Sequence, residues 1–219
     1  MKEKFQQILN NIKKELIYLG NEVEHSLRQA MKALERQDTK IAEMVIRSDR
    51  EIDELEVKIE EQILELLALQ QPVAVDLRFV VAALKMNNDL ERIGDHAVNI
   101  AQTAIDLAGE SYIKPLEDLP RMSNLACSML HEAVNSFIHL DSELARAVCQ
   151  RDNEVDQLYD QVVNHLIEVS QKKPQKLKQA FALARVARDL ERVADLATNL
   201  CEDVVFTAEA KIIRHGFDV

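Results

Sequence analysis

The sequence predicts an all-α protein of six long helices, built as a duplicated three-helix unit. Three observations carry that prediction. Apolar residues recur at steps of three and four almost throughout, and strict alternation over a strand length is absent. The 219 residues hold only 4 Gly and 4 Pro, too few to turn the chain every ~8–12 residues as a sandwich or barrel requires. Finally, the second hundred residues repeat the first.

The elements follow in order. The first helix, about 3–36, carries its apolar stripe on Phe5, Ile8, Leu9, Ile12, Leu16 and Leu19. Asp38 is placed to cap a second helix, about 38–70, with the stripe Ile52, Leu55, Ile59, Ile63, Leu66 and Leu67. Gln70-Gln71-Pro72 stops it. A third helix spans about 74–109. Gly109 to Pro120, with Pro115 inside it, is the longest non-periodic stretch and marks the boundary between units 1–112 and 113–219. A fourth helix, about 119–150, carries Leu125, Met129, Val134 and Phe137. Asp152 then reads as the cap of a fifth, about 152–171, which Lys172-Lys173-Pro174 ends, and a sixth runs about 175–214.

The duplication is explicit. Asp89-Leu90-Glu91-Arg92-Ile93-Gly94-Asp95 recurs as Asp189-Leu190-Glu191-Arg192-Val193-Ala194-Asp195 at an offset of 100, and Asn99 matches Asn199. Asp49-Arg50-Glu51-Ile52-Asp53 recurs as Asp152-Asn153-Glu154-Val155-Asp156 at an offset of 103, at which Asp38 also matches Asp141. The period is far longer than the ~20–50 residues of a solenoid repeat.

Composition narrows the function. The net charge of −11 argues against nucleic acid or an anionic membrane surface as the main partner and favours cations or basic proteins. Apolar residues make up 47%, enough for a core. No apolar run approaches the ~18 residues of a membrane span, and the charged N-terminus lacks a signal-peptide core, so a cytoplasmic protein is expected. Cys127, Cys149 and Cys201 form no CxxC and read as idle thiols.

The chemistry lies in the repeated acids. Asp49 and Asp53 share a helix face, as do Glu91, Asp95 and Asn99; Asp152 and Asp156, then Glu191, Asp195 and Asn199, repeat the pattern. Like charges four apart on a helix cost a few tenths of a kcal/mol per pair, which a cation three or four residues away normally offsets. Asp49, Glu91, Asp152 and Asp156 have no such cation; Glu191 has Arg188, and Asp95 and Asp195 have Arg92 and Arg192 within reach. An external cation is the simple remedy. Carboxylate and amide oxygens select hard or borderline ions such as Mg, Mn, Fe or Ca, and two acid pairs per unit can hold more than one ion. A tetrahedral Cys/His zinc site is unsupported, since His96 is the only such residue within the sets. The bland alternative is a solvated acidic face.

Other candidates are weaker. Glu22 and His25 have the spacing of a di-iron ligand pair but lack a second such pair. The histidines show no nucleophile–base grouping. Met86, Met122 and Met129 read as core gap-fillers.

At the two DLERxxDxxxN segments the sequence resembles the PhoU family, accessory and regulatory proteins of bacterial phosphate-specific transport. The likeness spans essentially the whole chain, including QQPVAVDLRFVVAALKMNNDLERIGDHAVNIA (Gln70 to Ala101), its weaker copy from Lys173 to Val205, and His215. It implies two tandem three-helix bundles joined end to end with pseudo-twofold symmetry. It implies multinuclear clusters of iron, zinc, manganese, magnesium or nickel on carboxylates. Position by position, one site would use Asp49, Asp53, Glu91, Asp95 and Asn99, the other Asp152, Asp156, Glu191, Asp195 and Asn199. The halves differ, with Glu202 and Asp203 where the first has Gln102 and Thr103, and Ala194 for Gly94. The resemblance further implies a non-enzymatic negative regulator of phosphate uptake and phosphate-starvation signalling. Its expected partners are the ATPase subunit of the phosphate ABC transporter and the sensor histidine kinase, and a homodimer is expected. Two competing readings stay open: a carboxylate-bridged metal enzyme, which needs acids buried beside a pocket, and a metal-free helical adaptor. Asp49 and Asp152, read as lying at helix starts, favour a surface site.

Overall fold

The computed structural model describes residues 2–114 and 116–213; Pro115 and His215 lie outside them. Six helices follow one another: α1 (Lys2–Arg36), α2 (Thr39–Gln70), α3 (Ala74–Asp106), α4 (Asp118–His139), α5 (Ser142–Lys172) and α6 (Leu177–Glu209), with a 3-10 turn at Pro174–Lys176. There is no strand among the described residues.

The helices end where local chemistry ends them. Asp38 is the N-cap of α2, its Oδ1 accepting from the backbone N–H of Lys40 at 3.0 Å and Ile41 at 3.2 Å. Gln37 before it takes the left-handed conformation at φ 53°, and the Asp38 N–H returns to the Ala33 carbonyl at 3.0 Å. The second half copies this turn. Leu140 lies at φ 52°, the Asp141 N–H bonds the Ser136 carbonyl at 2.9 Å, and Asp141 caps α5 through the N–H groups of Glu143 and Leu144.

That corrects one expected boundary. The fourth helix stops at His139, not near 150, and Asp152 lies well inside α5 rather than capping it. Leu140 is the reason: a leucine carries no breaker signature, yet the capping strength of Asp141 holds it in a region that costs an L-residue roughly 1–2 kcal/mol. Asp141→Ala is expected to lower stability by about 1 kcal/mol, whereas Asp152→Ala, with no cap to lose, lowers it by none; thermal unfolding of the two variants separates the assignments.

The halves also sit differently from the end-to-end junction that the resemblance implied. They lie side by side. Helices α3 and α6 run antiparallel along their lengths, joined by Arg78 Nε to the Thr207 carbonyl at 3.2 Å, Lys85 to Asp203 at 3.0 Å and His96 to Asp189 at 2.9 Å. Helices α1 and α4 pack likewise, with His131 on Glu24 at 3.1 Å. Gly20 permits that approach, since a Cβ there would stand 3.0 Å from Val134 Cγ2. The pairings place the pseudo-twofold axis between the Arg92 and Arg192 levels of α3 and α6, while α2 and α5 lie outermost.

One continuous core results. Phe79 of α3 stacks on Phe137 of α4 across the halves, with ring centroids 4.9 Å apart. Met86, Met122 and Met129 are fully buried, as expected of gap-fillers. The connection between the halves is tied to both: the Gln37 amide donates to the Glu110 carbonyl at 2.6 Å, and the Lys176 ammonium donates to the Ser111 carbonyl at 2.8 Å. Among the described residues no helix is long and apolar enough to cross a membrane.

Candidate metal centres on the α2–α3 and α5–α6 faces

The fold brings the two acid pairs of each half together. In the first, Asp49 and Asp53 of α2 face Glu91 and Asp95 of α3. Burial first, then the charges of Asp53 and Asp95, push the Asp49 carboxyl up from 3.8 to about 6. Burial raises Glu91 as well, followed by Asp95, Asp53, Glu56 and Asp49. Among the described residues none of these four acids has an ion pair or a side-chain hydrogen bond. Arg92, expected within reach of Asp95, turns the other way and bonds Asp89 at 3.3 Å. Gly94 makes room for the pair: a Cβ there would lie 3.3 Å from Asp49 Oδ1.

The second half repeats the arrangement with differences. Burial raises Asp152 to about 6, with Asp156 and Asp195 adding to the effect. Burial likewise raises Asp156 and Glu191. Here Arg192 does bond Asp195, at 2.9 Å, and stands 3.7 Å from Glu191. Thr198 of α6, which sequence reasoning did not single out, turns its hydroxyl toward Asp152 and draws that carboxyl down slightly without closing a well-formed bond. Asp152 Oδ1, Glu191 Oε2 and Thr198 Oγ1 are buried atoms with no hydrogen-bond partner among the described residues. Orphaned buried carboxylate oxygens are costly, and a cation beside them removes the cost. On this observation the donor set fits a hard or borderline metal.

Asp49 and Asp152 therefore do not mark helix starts; both sit half-buried within α2 and α5. The surface character of the sites comes instead from Asp53, Asp95, Asp156, Asn99 and Asn199, all exposed. The sets are open: among the described residues no three His, Cys, Asp or Glu side chains draw close enough to enclose an ion. Between the halves, Arg92 and Arg192 line one cavity of about 260 Å3 with Asp152, Asp195, Thr198 and Asn199. His96 belongs to neither set and bonds Asp189 across the halves, a non-local pairing with no local sequence signal. His25 is exposed on α1. Cys127 and Cys201 are buried, Cys149 half-buried, and all three thiols are free.

The sign of the pH dependence follows. A carboxyl raised in the folded state holds its proton in the fold more tightly than in the unfolded chain. The stability it contributes is complete below the ordinary value of 3.8 and is lost as pH rises through about 6. For Asp49 and Asp152, both partly open to water, about 1 kcal/mol each remains after solvent screening. In chelator-treated protein, wild type is expected to lose stability between pH 4 and pH 7 relative to Asp49→Asn/Asp152→Asn. Parallel melting curves for the two proteins across that window would contradict it.

Comparison with known proteins adds the relatives. The family model described as the PhoU domain matches residues 16–104 and again 119–204. A phosphate-specific transport system accessory protein PhoU homolog from Aquifex aeolicus is 39% identical over 207 residues, covering 94% of each chain. The crystal structure of PhoU from Pseudomonas aeruginosa superposes with a TM-score of 0.91 at 30% identity, covering 94% of this chain and 100% of that one. The phosphate transport system regulatory protein PhoU from Streptococcus pneumoniae superposes with a TM-score of 0.88 at 29% identity, covering 95% and 98%.

Proposed function

Since this chain belongs to the PhoU family, we propose that it is a negative regulator of phosphate uptake and of phosphate-starvation signalling. In this reading it is a cytoplasmic, homodimeric, metal-binding adaptor between the ATPase subunit of the phosphate ABC transporter and the sensor histidine kinase. The observation that carries the metal part is the pair of acid sets at matching positions, with Asp152 Oδ1 and Glu191 Oε2 buried and, among the described residues, without a hydrogen-bond partner. The regulatory part rests on relatives named as accessory and regulatory proteins of phosphate transport.

Asp49, Asp53, Glu91 and Asp95 would hold cations across α2 and α3; Asp152, Asp156, Glu191 and Asp195 would do so across α5 and α6. Bound cations would supply the counter-charge that the first stripe lacks among the described residues and that the second draws only in part from Arg192. The chain's own part is to carry each pair on two long, well-packed helices, so that neutralising the stripe fixes the surface offered to a partner. Gly94, facing Asp49, keeps α2 and α3 close enough for the acids of the two helices to share an ion. The exposure of Asp53, Asp95 and Asp156 suits a partner-facing surface and not a closed reaction chamber, which favours an adaptor over a carboxylate-bridged enzyme.

The test is capture on the intact protein from phosphate-replete cells, with and without chelator. Metal-dependent recovery of the transporter ATPase or the sensor kinase is the expected result. Recovery of neither in both conditions removes the regulatory reading.

A further inference from the structure

The α5–α6 seam holds a pair of sulfurs that the acid sets do not use. Cys149 of α5 and Cys201 of α6 face one another across it, their thiols in hydrogen-bond contact. The Cys149 thiol itself reaches the Thr198 carbonyl of α6, with Sγ 3.9 Å away. Thr198 and Cys201 are three residues apart, so both lie on the face of α6 that meets α5. Ser136 of α4 makes a further hydrogen-bond contact with the Cys201 thiol. Cys201 is 0% exposed, whereas Cys149 is half-buried and the more open of the two.

The internal repeat separates this pair from ordinary packing. At the offsets that align the halves, 103 and 100, Cys149 matches Ile46 and Cys201 matches Ala101. The first half fills this place in its own seam with a large and a small apolar side chain, half-buried and buried in the same order. The second half has cysteine at both matched positions, although the whole chain has only 3 cysteines. The third, Cys127, is buried on α4 near Arg28 and Glu24, with no thiol partner among the described residues. A single buried cysteine is an ordinary small core hydrophobe. Two thiols in contact across neighbouring helices are both halves of a disulfide.

We propose that Cys149 and Cys201 form a reversible oxidation site, at which hydrogen peroxide attacks through Cys149 and Cys201 closes a disulfide. In the first step the Cys149 sulfur attacks one peroxide oxygen and the O–O bond breaks. The second oxygen leaves as water with the thiol proton, and Cys149 becomes a sulfenic acid. The Cys201 sulfur then attacks the Cys149 sulfur: the S–S bond forms, the S–O bond breaks, and the hydroxyl leaves as water with the Cys201 proton. In sum the two thiols give up two electrons and one peroxide becomes two waters. A dithiol or a low-molecular-weight thiol restores the pair by exchange. Because the thiols already touch, side-chain rotation and a small approach of the helices bring the sulfurs to bonding distance. The bond pins α5 to α6 one helical turn from Asp152 and Thr198, in the second half alone, since Ile46 and Ala101 cannot close one in the first. In a reducing compartment such a pair closes transiently, as a response to oxidant and not as a permanent staple. None of these steps uses the acids assigned to metal.

Thiol mapping on the full chain tests it. Reduced, chelator-treated protein is exposed to hydrogen peroxide at a dose that leaves its methionines unoxidised, then alkylated under denaturing conditions and read by intact mass and peptide mapping. Wild type is expected to fall from three alkylatable thiols to one, Cys127, with the Cys149 and Cys201 peptides linked and the helical circular dichroism kept. Dithiothreitol is expected to restore all three. Cys201→Ala, which installs the first half's residue, is expected to stop at a sulfenic acid on Cys149 that dimedone traps. Cys149→Ile is expected to keep both of its remaining thiols at the same dose. Wild type that retains three thiols, or that oxidises Cys149 while Cys201 stays free, overturns the proposal. So does a link made to Cys127 or between chains. A Cys149–Cys201 link that appears only with loss of helical circular dichroism also overturns it, because the bond then belongs to the unfolded chain.

Discussion

Phe137→Ala is expected to lower stability by about 3–5 kcal/mol and the melting temperature by roughly 6–20 °C. Phe137 is 1% exposed and stacks on Phe79, itself 3% exposed. Truncation forfeits the transfer free energy of the ring, leaves a cavity that long packed helices cannot collapse, and removes an aromatic pair. The two rings come from different halves of the duplication, so the loss falls on the junction as well as on one bundle. Unfolding is expected to remain a single transition, because α1, α3, α4 and α6 share one core. Two separate transitions by calorimetry would show that the halves fold independently. Met44→Ala, at a residue 60% exposed, is the control and should change stability by no more than about 0.5 kcal/mol.

The second large effect concerns the acid sets. Manganese added to chelator-treated protein at 1,000 times its dissociation constant is expected to stabilise the fold by about 4 kcal/mol per site. The increment is expected to vanish in Asp49→Asn/Glu91→Gln/Asp152→Asn/Glu191→Gln. The same substitutions should raise the melting temperature of the chelated protein at pH 7.5, because they remove carboxylates that burial and their neighbours already disfavour as charged groups. Stability thus moves in opposite directions with and without metal, a pattern that ordinary surface acids would not give. Equal manganese-induced shifts in wild type and variant would falsify the metal assignment.

Much of this was legible in the residues, and the exceptions have physical causes. The spacing of Phe5 to Leu19 and of Ile52 to Leu67 identifies helices because the apolar period is a local property. Asp38 announces its cap for the same reason. The α4–α5 turn was missed because Leu140 takes a conformation that leucine does not advertise, although the match of Asp38 to Asp141 was visible in the repeat. The acid sets were readable because i, i+4 spacing and the absence of nearby cations are both local. What Arg92 does was not: Asp89 and Asp95 both lie three residues from it, and local spacing does not say that it bonds Asp89. Thr198, the His96–Asp189 link and the side-by-side packing of the halves are likewise tertiary facts without a local pattern.

The most direct test is elemental analysis of protein purified without chelator, for wild type and for Asp49→Asn/Glu91→Gln/Asp152→Asn/Glu191→Gln. Wild type is expected to retain stoichiometric divalent or ferric metal, and the variant, equally folded by circular dichroism, essentially none. The same metal content in both proteins, or none in either after incubation with manganese, iron and zinc salts, would contradict the account.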